Sequence, residues 1–215
     1  MIDKDLSNKR EIYQQKELLE STIPENPMEL FRDWYSEAEQ VQAGEANAFT
    51  IATVDANLRP TSRVVLLKRF TWEGFIFYTN YNSQKGKSIA QNNQVSLSFF
   101  WDTLERQVII NGLAEKENKN LSDGYFESRP RGSRLGSMAS DQSDPIESRE
   151  ALDKKLHELE KALENKEILR PENWGGYLVK PTRIEFWQGR PNRMHDRIRY
   201  TLQEDYSWKI ERIQP

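Results

Sequence analysis

The sequence predicts an α+β fold in which an antiparallel β-barrel is interrupted by helices. From Ala48 onward, short segments rich in β-branched and aromatic residues are separated by turn residues such as Asp55-Ala56-Asn57 and Glu73-Gly74, a pattern typical of hairpin-connected strands. Five such strands follow one another closely, which favours a barrel. Helix-capping residues at Asn26 and Ser83 mark helices on either side of the first strands.

The helices are predicted from their cap residues. Asn26-Pro27 combines a preferred N-cap residue with the residue preferred at the first helical position. The predicted helices are one that starts at Asn26-Pro27, one over Ser83–Asn92, one over residues 118–128, and a long one that starts at Asp144-Pro145. The Gly- and Ser-rich stretch over residues 131–143 is predicted to be a loop.

The strands are predicted from β-branched and aromatic content and from turn residues. They are Phe49–Val54, Arg63–Phe70, Phe75–Thr79, Val95–Trp101, Arg106–Glu115, Gly176–Lys180, Arg183–Gln188, Met194–Thr201 and Trp208–Ile213. Residues 1–22 are polar and are expected to form a flexible N-terminal arm, followed by a single domain over residues 23–215.

The composition excludes several kinds of site. The 215 residues include no cysteine, which excludes disulfides, thiolate zinc sites and a thiol nucleophile. The two histidines are far apart and the carboxylates do not cluster, so no metal site is expected. Without a nucleophile motif, the chain is expected to take its chemistry from a cofactor.

Charge and hydropathy also limit the partners. The formal net charge of −3 gives no overall basic footprint for nucleic acid. The charged N-terminus lacks the apolar run of a signal peptide, and no stretch approaches the length of a membrane span. We therefore expect a cytoplasmic protein without nucleic-acid or membrane partners.

The segment Arg193–Arg197 is a first candidate for chemistry. In a strand, Arg193, His195 and Arg197 would share one face and repel each other unless an anion lay between them. The alternative is a strand face exposed to solvent, which is the commoner arrangement. The preceding Phe186-Trp187-Gln188-Gly189 favours a site.

Arg63 and Lys68 bracket an apolar run. Because they are five residues apart, strand alternation directs them to opposite faces. Both would then meet one ligand only at a barrel rim or between two subunits. The alternative is that both charges end a strand and reach water.

Two further segments suit a phosphate. Tyr78-Thr79-Asn80 leads into a helix whose first turn carries Ser83-Gln84-Lys85, and a helix N-terminus favours an anion. Tyr125, Arg129 and Ser133 gather near the end of another helix, and these residue types suit a phosphate monoester. The alternative in both places is an ordinary helix end.

Together these motifs resemble those of the pyridoxamine 5′-phosphate oxidase family over about residues 10–215. Each motif is weak alone, but their order along the chain is highly specific. The motifs are Arg63–Lys68, Phe77–Asn80, Leu104–Val108, Ser128–Arg131, Trp174–Gly176, Glu185–Gly189 and Arg193–Arg197.

The resemblance implies a split β-barrel of the FMN-binding type with flanking helices, in a homodimer with FMN sites between the subunits. Residues 23–215 would then be a single FMN-binding domain. It also implies the reaction, in which pyridoxamine 5′-phosphate or pyridoxine 5′-phosphate reacts with O2 to give pyridoxal 5′-phosphate and hydrogen peroxide.

The resemblance further implies the site residues. FMN contacts fall on Arg63, Val64, Val65, Leu66, Leu67, Lys68, Tyr78, Thr79, Gln84, Lys85, Gln107, Gln142, Ser143, Trp187 and Arg197. Substrate contacts fall on Arg10, Tyr13, Lys68, Tyr125, Arg129, Ser133, Arg193, Met194 and His195. Arg193 and His195 would lie nearest the reacting carbon and are the candidate catalytic residues.

One position departs from the family pattern. After Ser83 the family usually has arginine, where this chain has Gln84. A charge-assisted hydrogen bond contributes about 1.5–3 kcal/mol against about 1 kcal/mol for a neutral one, so somewhat weaker FMN binding is expected.

Three other functions stay open at this level. They are a flavin reductase-like split-barrel protein, a flavin-binding relative with weakened catalysis, and a barrel that binds single-stranded nucleic acid. The substrate motifs Ser128–Arg131 and Arg193–Arg197 argue against the first, and the net charge of −3 argues against the last.

Overall fold

The computed structural model describes residues 5–8, 12–42 and 44–215. The helices in this part of the chain are α1 (Pro27–Val41), α2 (Gln84–Gln91), α3 (Lys119–Ser128), α4 (Arg131–Ala139) and α5 (Arg149–Ala162). The strands are β1 (Ala48–Val54), β2 (Pro60–Leu66), β3 (Arg69–Thr71), β4 (Gly74–Asn80), β5 (Gln94–Trp101), β6 (Arg106–Lys116), β7 (Trp174–Gln188), β8 (Asp196–Leu202) and β9 (Trp208–Arg212). Short 3₁₀ turns cover Glu20–Thr22, Asp102–Leu104 and Pro191–Arg193.

The predictions of α1, α2 and α3 are confirmed. Asn26 Oδ1 accepts a hydrogen bond from the Met28 backbone N–H at 2.9 Å, which caps α1. Ser83 Oγ accepts one from the Gly86 backbone N–H at 3.3 Å and caps α2. The long helix predicted from Asp144 begins instead at Arg149, because Ser148 provides its N-cap.

The prediction of a loop over residues 131–143 is wrong, because Arg131–Ala139 form α4. Leu135 and Ala139 on this helix are buried, at 3% and 5% exposure. Burial of an apolar face stabilises a short helix more than propensity does, and here it outweighs the poor helix propensity of the glycines and serines.

The strand predictions are confirmed with three changes, the first being that the strand predicted from Met194 begins only at Asp196. The predicted strand Arg63–Phe70 is divided into β2 and β3 by Leu67-Lys68. The predicted strands Gly176–Lys180 and Arg183–Gln188 are one continuous strand, β7.

Strand pairing gives an α+β fold with an antiparallel sheet, as predicted. Among the described residues, the strand order is β2-β1-β5-β6-β7-β4-β3, with β8 beside β7 and β9 beside β8. The β1–β2, β3–β4, β4–β7, β7–β8 and β8–β9 pairs are antiparallel. The β4–β7 register sets Tyr78 opposite Gly176.

The chain groups into two compact units. The first comprises the described residues within 1–47, 98–110 and 182–215, and the second comprises residues 48–97 and 111–181. The predicted single FMN-binding domain over residues 23–215 and the flexible arm over residues 1–22 stay predictions.

The first unit has an aromatic core. Phe31 on α1 packs edge-on against Phe99, with ring centroids 5.3 Å apart, and Trp34 packs against Phe186 at 5.2 Å. Arg106 lies 4.3 Å above the Trp34 ring and forms an ion pair with Glu37 at 3.0 Å.

The second unit contains a core that we call the Trp174 cluster. Its buried members are Phe126, Leu135, Ile168 and Trp174, and partly buried residues Tyr78, Tyr125, Met138, Leu156, Leu159 and Leu163 pack against it. Leu156 and Leu159 of α5, together with Leu163 directly after it, therefore cover this cluster.

Candidate functional site

A cavity of about 750 Å³ lies within the second unit. This volume is typical of small-molecule sites. Its described lining includes four cationic side chains and no carboxylate. The lining residues are Ser62, Arg63, Val64, Val65, Leu66, Lys68, Tyr78, Thr79, Asn80, Gln84, Lys85, Tyr125, Arg129, Ser133, Gly136, Ser137, Ser140, Gln142, Ser143 and Trp174.

Arg63 and Lys68 both line this cavity, although strand alternation predicts opposite faces. The alternation fails because β2 ends at Leu66. The Lys68 backbone N–H then donates to the Ile76 carbonyl at 2.9 Å, beside the β3–β4 hairpin. One chain therefore brings both cations to one cavity without a second subunit.

Arg63 is held by neutral oxygen atoms. Its Nη1 donates to Thr53 Oγ1 at 2.9 Å, and its Nη2 donates to Thr61 Oγ1 at 2.8 Å. Burial lowers the pKa of Arg63. A partly buried guanidinium whose described partners are all neutral favours an anionic ligand.

Lys85 is a buried cation in the first turn of α2, with 6% of the residue exposed. Its Nζ donates to Thr79 Oγ1 at 3.1 Å and to Gln142 Oε1 at 3.2 Å. Burial, and to a lesser extent the charge of Arg63, lowers the pKa of Lys85 to about 8. An anion beside this ammonium would reverse that shift.

Arg129 follows α3 and approaches α4. Its Nη1 donates to Ser137 Oγ at 3.0 Å, and its guanidinium lies 4.6 Å from the centroid of the Trp174 ring. Burial lowers its pKa. Ser137 in turn donates to the Ser133 carbonyl at 3.0 Å, so the first turns of α4 orient the guanidinium.

Three stacked aromatic rings form one wall of the cavity. Tyr78 stacks on Tyr125 at 3.9 Å and on Trp174 at 5.6 Å between ring centroids. At Gly176 on β7, a Cβ would lie 2.9 Å from Tyr78 Cε1, so glycine makes room for this ring. Burial raises the pKa of Tyr78 to about 12 and also raises the pKa of Tyr125, so both phenols remain neutral donors.

Some predicted contacts are not in the lining of this cavity. Leu67 is buried at 4% exposure, and Gln107 Nε2 donates to Ser98 Oγ at 3.1 Å in the first unit. The others, also in the first unit, are Tyr13, Trp187, Arg193, Met194, His195 and Arg197. Arg10 lies outside the described residues.

Tyr13, Trp187 and His195 contact one another in the first unit, and we call them the Tyr13 cluster. Ring centroids are 4.7 Å apart for Trp187 and His195, 5.7 Å for Tyr13 and Trp187, and 5.8 Å for Tyr13 and His195. The Arg190 backbone N–H donates to His195 Nδ1 at 3.1 Å. Burial, and then the charge of Arg193, lowers the pKa of His195. The neutral ring therefore carries its proton on Nε2 and presents a donor there.

The prediction that Arg193, His195 and Arg197 share one strand face is wrong. Strand β8 begins only at Asp196, and Arg193 ends a 3₁₀ turn with a left-handed φ of 62°. Arg197, within β8, is ion-paired with Glu185 at 2.7 Å.

Six lining residues were not among the predicted site residues. They are Ser62, Asn80, Gly136, Ser137, Ser140 and Trp174. Three of them belong to or follow α4, whose stretch is predicted as a loop. Trp174 stands in one of the family motifs, which is the signal that sequence analysis had available.

Two further findings concern the described part of the chain as a whole. It places no group of three or more His, Asp or Glu side chains where they could hold a metal ion. None of its helices combines the length and the apolar character needed to cross a membrane.

Comparison with known proteins gives matches along the chain. The family model described as "Pyridoxamine 5'-phosphate oxidase" matches residues 36–162, and "Pyridoxine 5'-phosphate oxidase C-terminal dimerisation region" matches residues 174–215. The pyridoxine/pyridoxamine 5′-phosphate oxidase of Flavobacterium psychrophilum is 58% identical over 213 residues, which are 99% of this chain and 100% of that protein. The protein of the same name from a Nostoc species is 47% identical over 214 residues, with 100% of each chain covered.

Solved structures share the fold. PhzG from Burkholderia lata, in complex with tetrahydrophenazine-1-carboxylic acid, has a TM-score of 0.85 at 29% identity and covers 91% of this chain and 95% of its own. A pyridoxamine 5′-phosphate oxidase-related, FMN binding protein from Nostoc punctiforme has a TM-score of 0.69 at 17% identity, covering 90% and 99%. The predicted split β-barrel fold with flanking helices is therefore confirmed.

Proposed function

Because this chain belongs to the pyridoxamine 5′-phosphate oxidase family, a family of oxidoreductases, we propose that it makes pyridoxal 5′-phosphate with FMN as cofactor. The proposed substrates are pyridoxine 5′-phosphate, an alcohol, and pyridoxamine 5′-phosphate, an amine. O2 takes up the two electrons and two protons and becomes hydrogen peroxide. With the amine, one water is consumed and ammonia is released. The cytoplasmic location expected from the sequence stays a prediction.

The observation that carries this proposal is the charge of the cavity. Four cationic side chains line it, and its described lining has no carboxylate. A phosphate monoester carries about −1.5 to −2 charges at neutral pH. Two such groups, one on FMN and one on the substrate, would balance the four cations, whereas one would leave about half of the charge unbalanced.

The residues around Lys85 and Arg63 fit the phosphate of FMN. Lys85 is buried and its described partners are the neutral oxygens of Thr79 and Gln142, while Arg63 also donates only to neutral oxygens in the described contacts. These cations lack the anion that buried charges need. When bound, FMN would supply the centre that accepts a hydride from the substrate carbon.

Arg129 and its surroundings suit the substrate phosphate. Ser137 and Trp174 orient the guanidinium, and Tyr125, Ser133 and Lys68 supply further donors in the same lining. Holding the substrate at its phosphate reduces the loss of freedom at the reacting end, an effect that can lower a barrier by roughly 7–11 kcal/mol at most.

Arg193 and His195 are proposed to act at the reacting end of the substrate. His195 presents an Nε2–H donor, since Nδ1 already accepts from Arg190. It is therefore suited to hold an acceptor atom of the substrate in place rather than to remove a proton from it. Arg193 adopts a left-handed φ of 62°, and strained backbone of this kind clusters at active sites and ligand clamps.

A homodimer is part of the proposal. The match of residues 174–215 to the family's C-terminal dimerisation region supports it. Val64 lines the cavity but is 67% exposed in one chain, so a second subunit would cover this side. Light scattering on the purified protein should give twice the mass of one chain, and a monomeric mass at micromolar concentration would contradict the dimer.

A second candidate is oxidation of a carboxylated ring. It is favoured by PhzG, which is 29% identical and whose structure holds tetrahydrophenazine-1-carboxylic acid. A ring carboxylate carries one charge, and together with FMN it would leave the four cavity cations partly unbalanced. The charge of the cavity therefore favours the phosphorylated substrate.

The test is a visible spectrum of the purified protein, followed by addition of pyridoxamine 5′-phosphate without oxygen. We expect a yellow protein that bleaches, and that regains its colour with release of hydrogen peroxide and ammonia when air is admitted. Bleaching by a reduced phenazine carboxylate alone would support the second candidate. A colourless protein that cannot be loaded with FMN would contradict both.

A further inference from the structure

Glu105 holds the N-terminal arm at the residues that follow Tyr13. Its Oε2 accepts hydrogen bonds from the backbone N–H groups of Gln14 at 2.9 Å and Gln15 at 3.1 Å. The side chain of Gln15 also donates to the neighbouring Thr103 carbonyl at 2.8 Å. A carboxylate that accepts two successive amides makes two charge-assisted bonds, so this acceptor fixes the chain immediately after Tyr13.

The backbone of Glu105 is also unusual. Its φ of 55° and ψ of 41° are left-handed, a region that residues with a Cβ seldom occupy. In this conformation its carbonyl accepts from the Gly189 backbone N–H at 2.7 Å. A Cβ at Gly189 would lie 2.8 Å from Tyr13 Cβ and 3.0 Å from Glu105 Cβ, so Glu105, Gly189 and Tyr13 are packed closely together.

The result of this packing is the placement of one aromatic ring. Tyr13 lies against Trp187 and His195, which are a proposed cofactor contact and a proposed catalytic residue. We propose that Glu105 is a positioning residue for the oxidase reaction, which holds Tyr13 against His195 and thereby completes the substrate site. This inference rests on the proposed role of His195 and on the substrate contact that the family resemblance implies for Tyr13.

Other contacts of the arm lie further along the chain. The Leu18 backbone N–H donates to Asp196 Oδ2 at 3.1 Å, Glu17 pairs with Arg190 at 2.5 Å, and Glu20 pairs with Arg212 at 2.7 Å. These contacts hold residues 17–20 independently of Glu105. Loss of the Glu105 carboxylate should therefore release Tyr13 without detaching the whole arm.

Two substitutions separate the carboxylate from the backbone conformation. Glu105→Gly removes the acceptor but adopts the left-handed conformation without strain. Glu105→Gln keeps an acceptor oxygen at the same distance and loses only the charge. Glu204→Gln, an exposed carboxylate in the turn between β8 and β9, is the matched control.

Hydrogen exchange and steady-state kinetics are measured on the FMN-loaded full chain. In Glu105→Gly we expect faster exchange of the Gln14 and Gln15 amides, and a KM for pyridoxine 5′-phosphate raised roughly tenfold with kcat changed less than about twofold. Glu105→Gln should recover much of the KM, and the Glu204→Gln control should match the wild type.

Two results would overturn the proposal. One is unchanged exchange of these amides in Glu105→Gly, and the other is faster exchange with an unchanged KM. In a Tyr13→Ala background, Glu105→Gly should raise KM no further, because both changes remove the same contact. Exchange needs no activity, so wild-type protein that shows no turnover would count against the proposed function, while exchange would still decide whether Glu105 anchors the arm.

Discussion

Cationic side chains in two regions of the molecule differ in how their charge is balanced. In the cavity of the second unit, Lys85 and Arg129 donate to neutral oxygens of Thr79, Gln142 and Ser137 in the described contacts. In the C-terminal part of the first unit, Arg197 pairs with Glu185 at 2.7 Å, and Arg212 pairs with both Asp196 and Glu20 at 2.7 Å. The charge of the paired cations is compensated within the fold, whereas the buried or partly buried cavity cations without a carboxylate are left for an anionic ligand.

Arg193 is the exception within the C-terminal region. The described contacts give it no carboxylate partner, and its backbone is left-handed. Because Arg193 is exposed, water can solvate its charge, and its assignment to the substrate rests on the family resemblance and not on a missing partner.

The largest effect should follow from Arg129→Gln. Loss of a charge-assisted bond of about 1.5–3 kcal/mol to the substrate phosphate should lower kcat/KM for pyridoxine 5′-phosphate roughly 10- to 150-fold, mostly through KM. Steady-state kinetics measures this. Arg149→Gln, which removes an exposed ion pair with Asp153 on α5, is the control and should change kcat/KM less than about twofold. An unchanged KM in Arg129→Gln would mean that the phosphate is bound elsewhere.

The next effect concerns Lys85→Met, which should weaken FMN binding by about tenfold or more while stabilising the FMN-free protein. The pKa of Lys85 is lowered from 10.5 to about 8 in the folded chain. Between pH 8 and pH 10.5, Lys85 is protonated in the unfolded chain but mostly neutral in the folded chain. The unfolded chain therefore loses its proton as the pH rises through this range, and the contribution of Lys85 to the free energy of unfolding increases. Below pH 8 the full cost of the buried charge remains, on the order of 3 kcal/mol.

Denaturant unfolding of FMN-free wild type and Lys85→Met, measured against pH, tests whether Lys85 destabilises the folded chain. The variant should be the more stable protein at pH 7, and the difference should shrink toward pH 10.5. FMN binding to the wild type at pH 9 should take up a proton, seen as a dependence of the binding enthalpy on the buffer. A variant less stable than wild type at pH 7 would show that Lys85 is already compensated.

Arg197→Gln tests the cations that are paired with carboxylates. Because Arg197 is paired with Glu185 and donates to the Gln214 carbonyl at 2.9 Å, we expect a loss of about 1 kcal/mol in the free energy of unfolding. FMN affinity should change less than about threefold. If FMN affinity falls by more than the free energy of unfolding, Arg197 contacts the cofactor, as the family resemblance implies. Glu185→Gln is the matched variant and should lower stability similarly.

The smallest effect should come from Gln84→Arg. Gln84 is the first residue of α2 and lines the cavity. Restoring the family's arginine there should tighten FMN binding about threefold to tenfold, because a neutral donor is replaced by a charged one. Fluorescence titration of FMN measures it. Unchanged or weaker binding would mean that the cavity already carries enough positive charge.

Local sequence signals predicted most of the elements but failed where packing decides. Asn26 and Ser83 cap helices as expected, since capping depends on neighbouring residues alone. The α4 helix was missed because its stability comes from burying an apolar face, on which Leu135 packs with Ile168 and Trp174, residues distant in sequence. The break between β2 and β3 at Lys68 was missed for the same reason, because it depends on a hydrogen bond to β4.

Contacts between residues distant in sequence also decide the site, and local sequence signals do not show them. Arg63, Lys85 and Arg129 are far apart in the sequence, and the structure brings all three side chains to a single cavity. Ser137 was not predicted, because its contact with Arg129 exists only when α4 is a helix. Whether the predicted residues bind FMN and substrate stays a prediction for the experiments above.

The Trp174 cluster is at once a hydrophobic core and a wall of the cavity, since Tyr78, Tyr125 and Trp174 belong to both. Selection for growth without an external supply of vitamin B6 could therefore not separate variants that loosen this core from variants that lose a ligand contact. Suppressor changes behind the rings, on Leu135 or on the leucines of α5, could restore affinity without touching a ligand. Among members of this family, substitutions on α5 should then co-vary with substitutions in the cavity, although none of the α5 leucines lines the cavity in the described structure.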